Sequence, residues 1–147
     1  MQIARVTADD LDAVVPLMVA YCDFYSVAPG ERALRSLAEA LLGDPQAEGV
    51  QLLARHDGRA AGFATIYWSW STAAAGRIGV MNDLYVAPEA RGRRIADALI
   101  RACLDEARER GAVRLEWTTH PHNHRARAVY DRVGGRPETW VEYSLPT

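Results

Sequence analysis

The residues Arg91–Ala96 combine positive charge with small side chains where a strand turns into a helix. The preceding Asp83–Val86 alternates like a strand, and apolar residues then recur at helical spacing. A helix start directs unbonded backbone N–H groups and the positive end of the helix dipole at one point. Gly92 and Ala96 leave room for close approach, and the arginines of the loop add charged donors. The pattern indicates a diphosphate site. A charged surface turn is the alternative, and a dinucleotide site fits poorly because only one of its glycines is present.

Three histidines alternate along the chain at His120, His122 and His124. A straight strand would place all three on one face, where they could act as metal ligands. Pro121 and the helix start at Asn123 argue against a straight strand, and no cysteine or carboxylate completes a ligand set. We therefore expect no metal.

The elements that must position these residues follow the order β-α-α-β-β-β-α-β-α-β. Strands are predicted at Gln2–Val6, Gly49–Arg55, Ala60–Ser71, Arg77–Val86, Val113–Thr119 and Trp140–Leu145. Helices are predicted over Leu11–Tyr25, through Leu34, Leu37 and Leu41 to Gly43, from Ile95 to near Gly111, and over Asn123–Val133. Pro16 should kink the first helix or confine its regular part to one side. The Asp57-Gly58 pair favours a hairpin. An antiparallel meander leading into a βαβ unit predicts one α/β (α+β) domain over residues 1–147, with a single mixed, mostly antiparallel sheet flanked by helices.

The overall composition is that of an ordinary globular protein, with 49% hydrophobic and 24% charged residues. A net charge of −2 gives no reason to expect nucleic acid or an anionic membrane as partner. No signal peptide or membrane span is expected. Cys22 and Cys103 lie on apolar helix faces and favour core positions in a reducing compartment, so we expect a cytoplasmic protein.

Two motifs together resemble the GNAT superfamily of acetyl-CoA-dependent N-acetyltransferases. Arg91–Ala96 is similar to its R/Q-x-x-G-x-G/A signature, after a strand ending L-x-V. Arg94 stands where that family usually has glycine; if Arg94 adopts ordinary helical angles, no positive φ is required. Asn123–Tyr130 resembles the family's N-x-x-A-x-x-x-Y helix, although Gly135 replaces the aromatic residue that usually follows. Other stretches resemble the polyamine and diamine branch and a fungal histone and polyamine branch.

The resemblance implies that acetyl-CoA lies in a splay between two parallel strands. The implied cofactor contacts are Leu84, Tyr85, Val86, Arg91, Gly92, Arg93, Arg94, Ile95, Ala96 and Asn123.

The resemblance also implies catalytic roles. It implies Tyr130 as the general acid that protonates the departing thiolate. Asp83 is the candidate base, with Glu116 and His120 as rivals. Both principal candidates have a structural alternative: Tyr130 as a packed core aromatic, and Asp83 as a buried carboxylate holding a loop.

The acceptor pocket implied by the resemblance uses the first helical region and the central strands. The candidates are Asp23, Tyr25, Trp68 and Asn82, with Trp70 on the same strand face as Trp68. Both tryptophans alternatively cover the sheet beneath a helix or form a dimer contact.

The predicted function is transfer of acetyl from acetyl-CoA to a primary amine in a ternary complex. The expected acceptor is a small molecule such as a polyamine, a diamine or an amino-acid-like amine, and a homodimer is expected. The alternatives are a protein lysine or N-terminal acetyltransferase and a non-catalytic coenzyme A-binding regulatory domain.

Overall fold

One five-stranded sheet organises the chain in the computed structural model, which describes all residues 1–147. Its strands are β1 (Gln2–Arg5), β2 (Gly49–His56), β3 (Arg59–Ser71), β4 (Gly76–Val86) and β5 (Arg114–Glu116), in that spatial order. All neighbours are antiparallel except β4 and β5, which are parallel and joined through a helix. The mixed, mostly antiparallel sheet predicted from the sequence is confirmed.

Four helices flank the sheet: α1 (Leu11–Phe24), α2 (Glu31–Gly43), α3 (Ile95–Glu109) and α4 (His124–Arg132). Helix α1 covers one face, where the Tyr21 ring packs against Phe63 and Tyr85 at centroid distances of 6.0 and 6.5 Å. Helix α3 covers the opposite face, and α2 packs against α1 and β2. The core between these layers is aliphatic, with Phe63 as its largest fully buried side chain.

A β-bulge interrupts the pairing of β3 with β4. Thr65 lies opposite Asp83 and Ile66 lies opposite Met81, so Asn82 has no partner of its own. A bulge inserts one residue and resets the alternation beyond it. Asp83 therefore points to the α1 face, while Met81 keeps its place on the α3 face.

The predicted closing strand is wrong. Trp140–Leu145 forms no strand and no helix, and its apolar side chains are exposed, with Tyr143 at 90%. The segment has the alternation of a strand, but no strand lies beside it, and an unpaired strand is not stable in water. The predicted fifth strand Val113–Thr119 is also shorter, at Arg114–Glu116.

Two smaller expectations concern Pro16 and the cysteines. Helix α1 continues through Pro16, so of the two alternatives for this residue, a kink or a restriction of the helix to one side, the restriction is wrong. Cys103 is fully buried on α3, where burial raises the pKa of its thiol to about 12, and Cys22 is half-buried. None of the helices combines the length and the apolarity needed to cross a bilayer.

Candidate active site

The edge of β4 is open next to the short strand β5. Parallel pairing runs only from Ile78 with Arg114 to Val80 with Glu116. Beyond that point Met81–Val86 keep β3 on one side and have no strand on the other. Because each residue of a strand carries hydrogen-bonding backbone groups, the open edge offers donors and acceptors to an extended ligand. The splay implied by the resemblance is confirmed.

The loop that follows this edge carries a row of free backbone amides. None of the amides from Gly92 to Ala96 donates to a backbone carbonyl. Gly92 has a φ of +79°, and a Cβ built there would meet no atom within 4 Å. Helix α3 begins at Ile95, so its positive dipole end adds to these donors. The loop is therefore built to hold an anion such as a diphosphate.

The three loop arginines differ in their contacts. The Arg91 Nε donates to the Val86 carbonyl oxygen at 2.9 Å and so ties the loop to β4. Arg93 contacts His56 at the β2–β3 hairpin. Arg94 is exposed and has no hydrogen-bond partner in the protein, so its guanidinium alone stays fully available to a phosphate.

The backbone of Arg94 contradicts the helical angles considered for it. Its φ of 58° and ψ of 25° lie in the left-handed region, where it forms the N-cap of α3. A side chain in this region costs about 1–2 kcal/mol because Cβ approaches the following carbonyl oxygen. The loop therefore keeps the glycine-like turn of the family signature even though the residue is arginine.

Asp83 is a buried carboxylate, only 9% exposed, on the α1 face of β4. Burial raises the pKa of Asp83 above its ordinary value, and hydrogen bonds from Thr65, Asn82 and Tyr21 partly oppose this. The Asn82 Nδ2 lies 2.9 Å from Asp83 Oδ1. The Tyr21 hydroxyl also lies 3.5 Å from the Asn82 carbonyl oxygen, but its single proton favours the charged carboxylate.

A row of polar side chains crosses the sheet behind this carboxylate. Gln51, Thr65 and Asp83 lie opposite one another on β2, β3 and β4. The Gln51 Nε2 donates to Thr65 Oγ1 at 3.1 Å. Since that bond occupies a lone pair of the hydroxyl oxygen, the Thr65 proton is free to be donated to Asp83. The row fixes the orientation of the carboxylate.

Tyr130 lies on α4 with its ring 5.4 Å from that of Trp117, in an edge-to-face arrangement. Burial raises the pKa of Tyr130, the nearby Tyr25 adds to this, and a hydrogen bond with Thr119 partly opposes it. The raised pKa keeps the phenol protonated at neutral pH. Asn123 accepts a hydrogen bond from the Ala126 amide at 3.2 Å and caps the start of α4.

A group of tyrosines gathers beside Asp83. The Tyr21 and Tyr25 rings are 5.0 Å apart on the last turns of α1. Tyr25 is 47% exposed, and Asp23 is exposed near the end of the same helix. Tyr21 is absent from the predicted site, because its helical spacing places it with the apolar positions of α1. Its spacing of four residues from Tyr25 was the available signal.

Trp68 lies away from this group. It faces the α3 side of the sheet, where its Nε1 donates to the Pro45 carbonyl oxygen at 3.0 Å and the Arg110 guanidinium lies 6.0 Å from its ring. Trp70 is 69% exposed and stacks against Arg77 at 4.7 Å. The structure thus brings Asn82 and Asp83 together, with Tyr25 packed on the intervening Tyr21. Trp68 is not part of this group, and its position matches the alternative of covering the sheet beneath a helix.

The rival bases occupy other surroundings. Glu116 Oε2 accepts a hydrogen bond from Arg114 Nε at 2.7 Å, so the Glu116 carboxylate is already part of an ion pair. His120 is exposed, and its Nδ1 accepts from the His122 amide at 3.2 Å. No group of three or more His, Cys, Asp or Glu side chains is arranged to hold a metal ion.

Comparison with known proteins decides the family. Residues 15–135 match the model of the acetyltransferase (GNAT) family. The chain belongs to the GNAT acetyltransferase family. It is 33% identical over 146 residues to an uncharacterised N-acetyltransferase of Bacillus subtilis, covering 99% of this chain and 97% of that protein. A probable acetyltransferase of known crystal structure is 35% identical, with a TM-score of 0.87 over 100% of this chain and 98% of that one.

A third relative has a named amine substrate. The thialysine N-epsilon-acetyltransferase of Caenorhabditis elegans is 29% identical over 149 residues, covering 98% of this chain and 91% of that protein. These likenesses extend over nearly the whole chain.

This GNAT protein is an acetyl-CoA-dependent N-acetyltransferase. Its free amides from Gly92 to Ala96, the available Arg94 side chain and the open edge of β4 fit the diphosphate and the amide-containing arm of coenzyme A. Proteins of this fold have been solved with coenzyme A or acetyl-CoA bound.

Proposed function

We propose that this GNAT enzyme acetylates the primary amine of a small alkylammonium molecule by direct attack in a ternary complex. The observation that carries the proposal is the buried Asp83 carboxylate beside the open edge of β4, contacted by Tyr21, against which the Tyr25 ring packs. A buried acid with a raised pKa next to a cofactor cradle is the arrangement expected of a general base.

The acceptor side suits a cation with an alkyl stem. Asp83 supplies the negative charge, and the faces of Tyr21 and Tyr25 attract an ammonium group by cation–π interaction. Asn82 is exposed at the bulge and offers its own carbonyl oxygen as a further acceptor. The ammonium form of a primary amine has three N–H donors that such a set of acceptors can receive.

Proton movement follows from the two pKa shifts. The amine must lose a proton before its nitrogen attacks, and Asp83, whose pKa is raised, accepts that proton directly or through water. Tyr130, whose pKa is also raised, holds a proton at neutral pH and donates it to the leaving sulfur. The nitrogen loses a second proton as the amide forms, and water carries it to the Tyr130 phenolate. Asp83 releases the first proton to solvent, so each turnover restores both residues and frees one proton.

The donor side is held by backbone groups. Acetyl-CoA supplies the thioester whose acyl carbon the amine attacks. An N–H of Leu84–Val86 on the open edge of β4 would stabilise the negative charge on the carbonyl oxygen. The amides of Gly92–Ala96 and the Arg94 guanidinium would hold the diphosphate.

The thialysine acetyltransferase supports the amine class, since the name of that relative specifies the ε-amine of thialysine. Thialysine has the alkylammonium group that the Asp83 and tyrosine surroundings suit. The proposal for the present enzyme extends to free diamines, polyamines and lysine analogues.

The test measures thiol release from acetyl-CoA with two sets of acceptors: free amines (putrescine, spermidine, lysine, thialysine) and peptides with either a lysine or a free N-terminus. At least one free amine should exceed every peptide in kcat/KM by about 10-fold or more, which corresponds to about 1.4 kcal/mol. A peptide that exceeds all free amines would refute the small-molecule assignment. Coenzyme A binding without turnover of any acceptor would favour a regulatory domain.

A pair of variants separates the base from its surroundings. Asp83→Asn should lower kcat about 100-fold, the low end of the usual general-base contribution. Asp105→Asn is the control for loss of a carboxylate, since Asp105 is exposed on α3 and is not among the predicted site residues, and kcat should fall by less than about 5-fold. Equal losses in both variants would remove Asp83 from the base role.

We further propose that the enzyme is a homodimer. Exposed aromatic side chains on β3 and in the C-terminal segment support this assembly, with Trp70 at 69% and Trp140 at 84% exposure. Sedimentation equilibrium should give twice the chain mass of 16.2 kDa, and a monomer at micromolar concentration would contradict the proposal.

A further inference from the structure

Helix α4 is weakly anchored for an element that carries a proposed catalytic group. None of its nine residues is fully buried. Val129 and Tyr130 pack against the core only in part, and Asn123 fixes the backbone at its start. Its last turn is held differently, through Arg132.

Arg132 forms a two-pronged ion pair with Asp97 on α3. The Arg132 Nε lies 2.7 Å from Asp97 Oδ1, and its Nη2 lies 2.7 Å from Oδ2. Asp97 is 7% exposed and sits in the first turn of α3, directly after the loop with the free amides. The contact to Arg132 lowers the pKa of Asp97, so the carboxylate stays ionised. A bidentate pair fixes orientation as well as distance.

The position of Arg132 lets it control the rotation of α4. Arg132 follows Tyr130 by two positions, which places their side chains about 200° apart around the helix. Side-chain atoms lie about 5–6 Å from the helix axis, so a rotation of about 10° moves them by about 1 Å. A misplacement of about 1 Å can cost about 100-fold in rate.

We propose that Asp97 and Arg132 are a positioning pair that aims the Tyr130 hydroxyl at the thioester sulfur. The pair joins the start of the cofactor helix α3 to the end of α4, so Tyr130 is placed relative to the same element that holds the diphosphate. This inference rests on the proposed acid role of Tyr130. Arg132 touches no substrate in this scheme and acts only through α4.

The first test combines Arg132→Met with Tyr130→Phe. Arg132→Met should lower kcat about 10- to 100-fold, with the KM for the amine changed by less than about 3-fold. In the Tyr130→Phe background the same substitution should change kcat by less than about 2-fold, because there is no longer a hydroxyl to position. Independent losses that multiply in the double variant would overturn the proposal.

A second variant controls for charge. Losing Arg132 leaves the Asp97 carboxylate unneutralised near the diphosphate site, which would weaken coenzyme A binding for a different reason. Asp97→Asn with Arg132→Met removes both charges. Coenzyme A affinity should return to within about 3-fold of the wild type while kcat stays low. Recovery of kcat in this variant would show that charge, not positioning, was the cause.

The matched structural control is the pair at the other end of α3. Arg5 joins β1 to Glu106 with Nε–Oε1 and Nη2–Oε2 distances of 2.8 and 2.5 Å, remote from Tyr130. Arg5→Met breaks a comparable bidentate contact and should leave kcat within about 2-fold. A loss equal to that of Arg132→Met would assign both to general destabilisation.

Amide hydrogen exchange separates failure of this inference from failure of the proposed function. In Arg132→Met the amides of His124–Arg132 should exchange faster, with α3 unchanged. Unchanged exchange in α4 overturns the positioning pair whether or not an acceptor amine has been found. Full activity of Tyr130→Phe removes the acid role and this inference with it, while amine acetylation itself would stand.

Discussion

The left-handed conformation of Arg94 predicts opposite changes in stability and cofactor affinity when glycine replaces it. Arg94 has a φ of 58°, which costs a side chain about 1–2 kcal/mol. Glycine removes that cost but gains freedom in the unfolded chain, which offsets about 0.4–1 kcal/mol. Arg94→Gly should therefore raise the free energy of unfolding by about 0.5–1 kcal/mol, or Tm by about 1–4 °C for a chain of this size.

Cofactor affinity should fall in the same variant. Arg94 is exposed and has no hydrogen-bond partner within the protein, so its guanidinium is available to a phosphate. An exposed charge pair contributes up to about 1 kcal/mol, so the Kd for coenzyme A should rise about 5-fold. Salt screens such a contact, and the difference should shrink when ionic strength rises from 0.05 to about 0.5 M.

Arg94→Ala is the matched control for both effects. It removes the same charge but keeps a Cβ in the left-handed region, so coenzyme A affinity should fall as in Arg94→Gly without the gain in Tm. Thermal unfolding and calorimetric titration of coenzyme A measure the two quantities. Equal Tm values for the glycine and alanine variants would refute the strain argument. Affinity within about 1.5-fold of the wild type in both variants would remove Arg94 from the phosphate site.

Three further predictions concern the acid, the base and a close backbone contact. Tyr130→Phe should lower kcat about 100-fold, with the coenzyme A Kd changed less than about 2-fold; unchanged turnover would exclude the acid role. Burial raises the pKa of Asp83, so the folded state favours the protonated carboxyl more than the unfolded state does. This contribution to stability is fully present below the unfolded pKa of about 3.9 and is lost as pH rises through the raised folded pKa. Asp83→Asn should therefore melt above the wild type at pH 7 and converge with it near pH 3.5; a lower Tm at both pH values would contradict this. Gly49→Ala should lower the free energy of unfolding by about 2–4 kcal/mol, because its Cβ would lie 2.0 Å from the Ile66 carbonyl oxygen at a φ of +152°. Gly43→Ala, where a Cβ meets nothing within 4 Å, is the control in denaturant unfolding and should cost nothing.

Much of the fold followed from local patterns in the sequence. The Asp57-Gly58 pair forms the predicted hairpin, with φ values of 51° and 75° that match the turn type these residues favour. The break after Gly43 and the helix after Arg94 also lie where the spacing places them. In each case the residues that specify the feature are neighbours in the chain, so no distant contact was needed.

Features that depend on distant contacts were not predictable in this way. Trp140–Leu145 alternates like a strand, but pairing requires an edge beside it, which local alternation cannot supply. Arg94 takes its left-handed angles as the N-cap of α3, although its own preference is helical. Tyr21 looked like a core residue because a helix face that covers a sheet and a helix end that borders a cleft have the same spacing.

The site had a similar division. The cofactor loop was predictable because one segment contains the strand end, the turn and the helix start. The acceptor side was only partly predictable: alternation paired Trp68 with Trp70 but could not say which sheet face they share. The structure assigns them to the α3 face, opposite Asp83.

The bulge at Asn82 adds one residue to β4 without changing which residues of β3 pair on either side of it. Because two residues of β4 span one step of β3, everything from Asp83 onward is offset by one position relative to the strand before it. Deleting Asn82 would make Met81 and Asp83 consecutive residues of a regular ladder, still opposite Ile66 and Thr65, so Asp83 would stay on the α1 face and Leu84–Val86 would keep their places. Changing the side chain of residue 82 would also leave unchanged which residues of β4 face α1 and which face α3. Evolution can therefore vary or lose position 82, and so change the acceptor side of the site, while the base and the cofactor edge keep their places on the sheet.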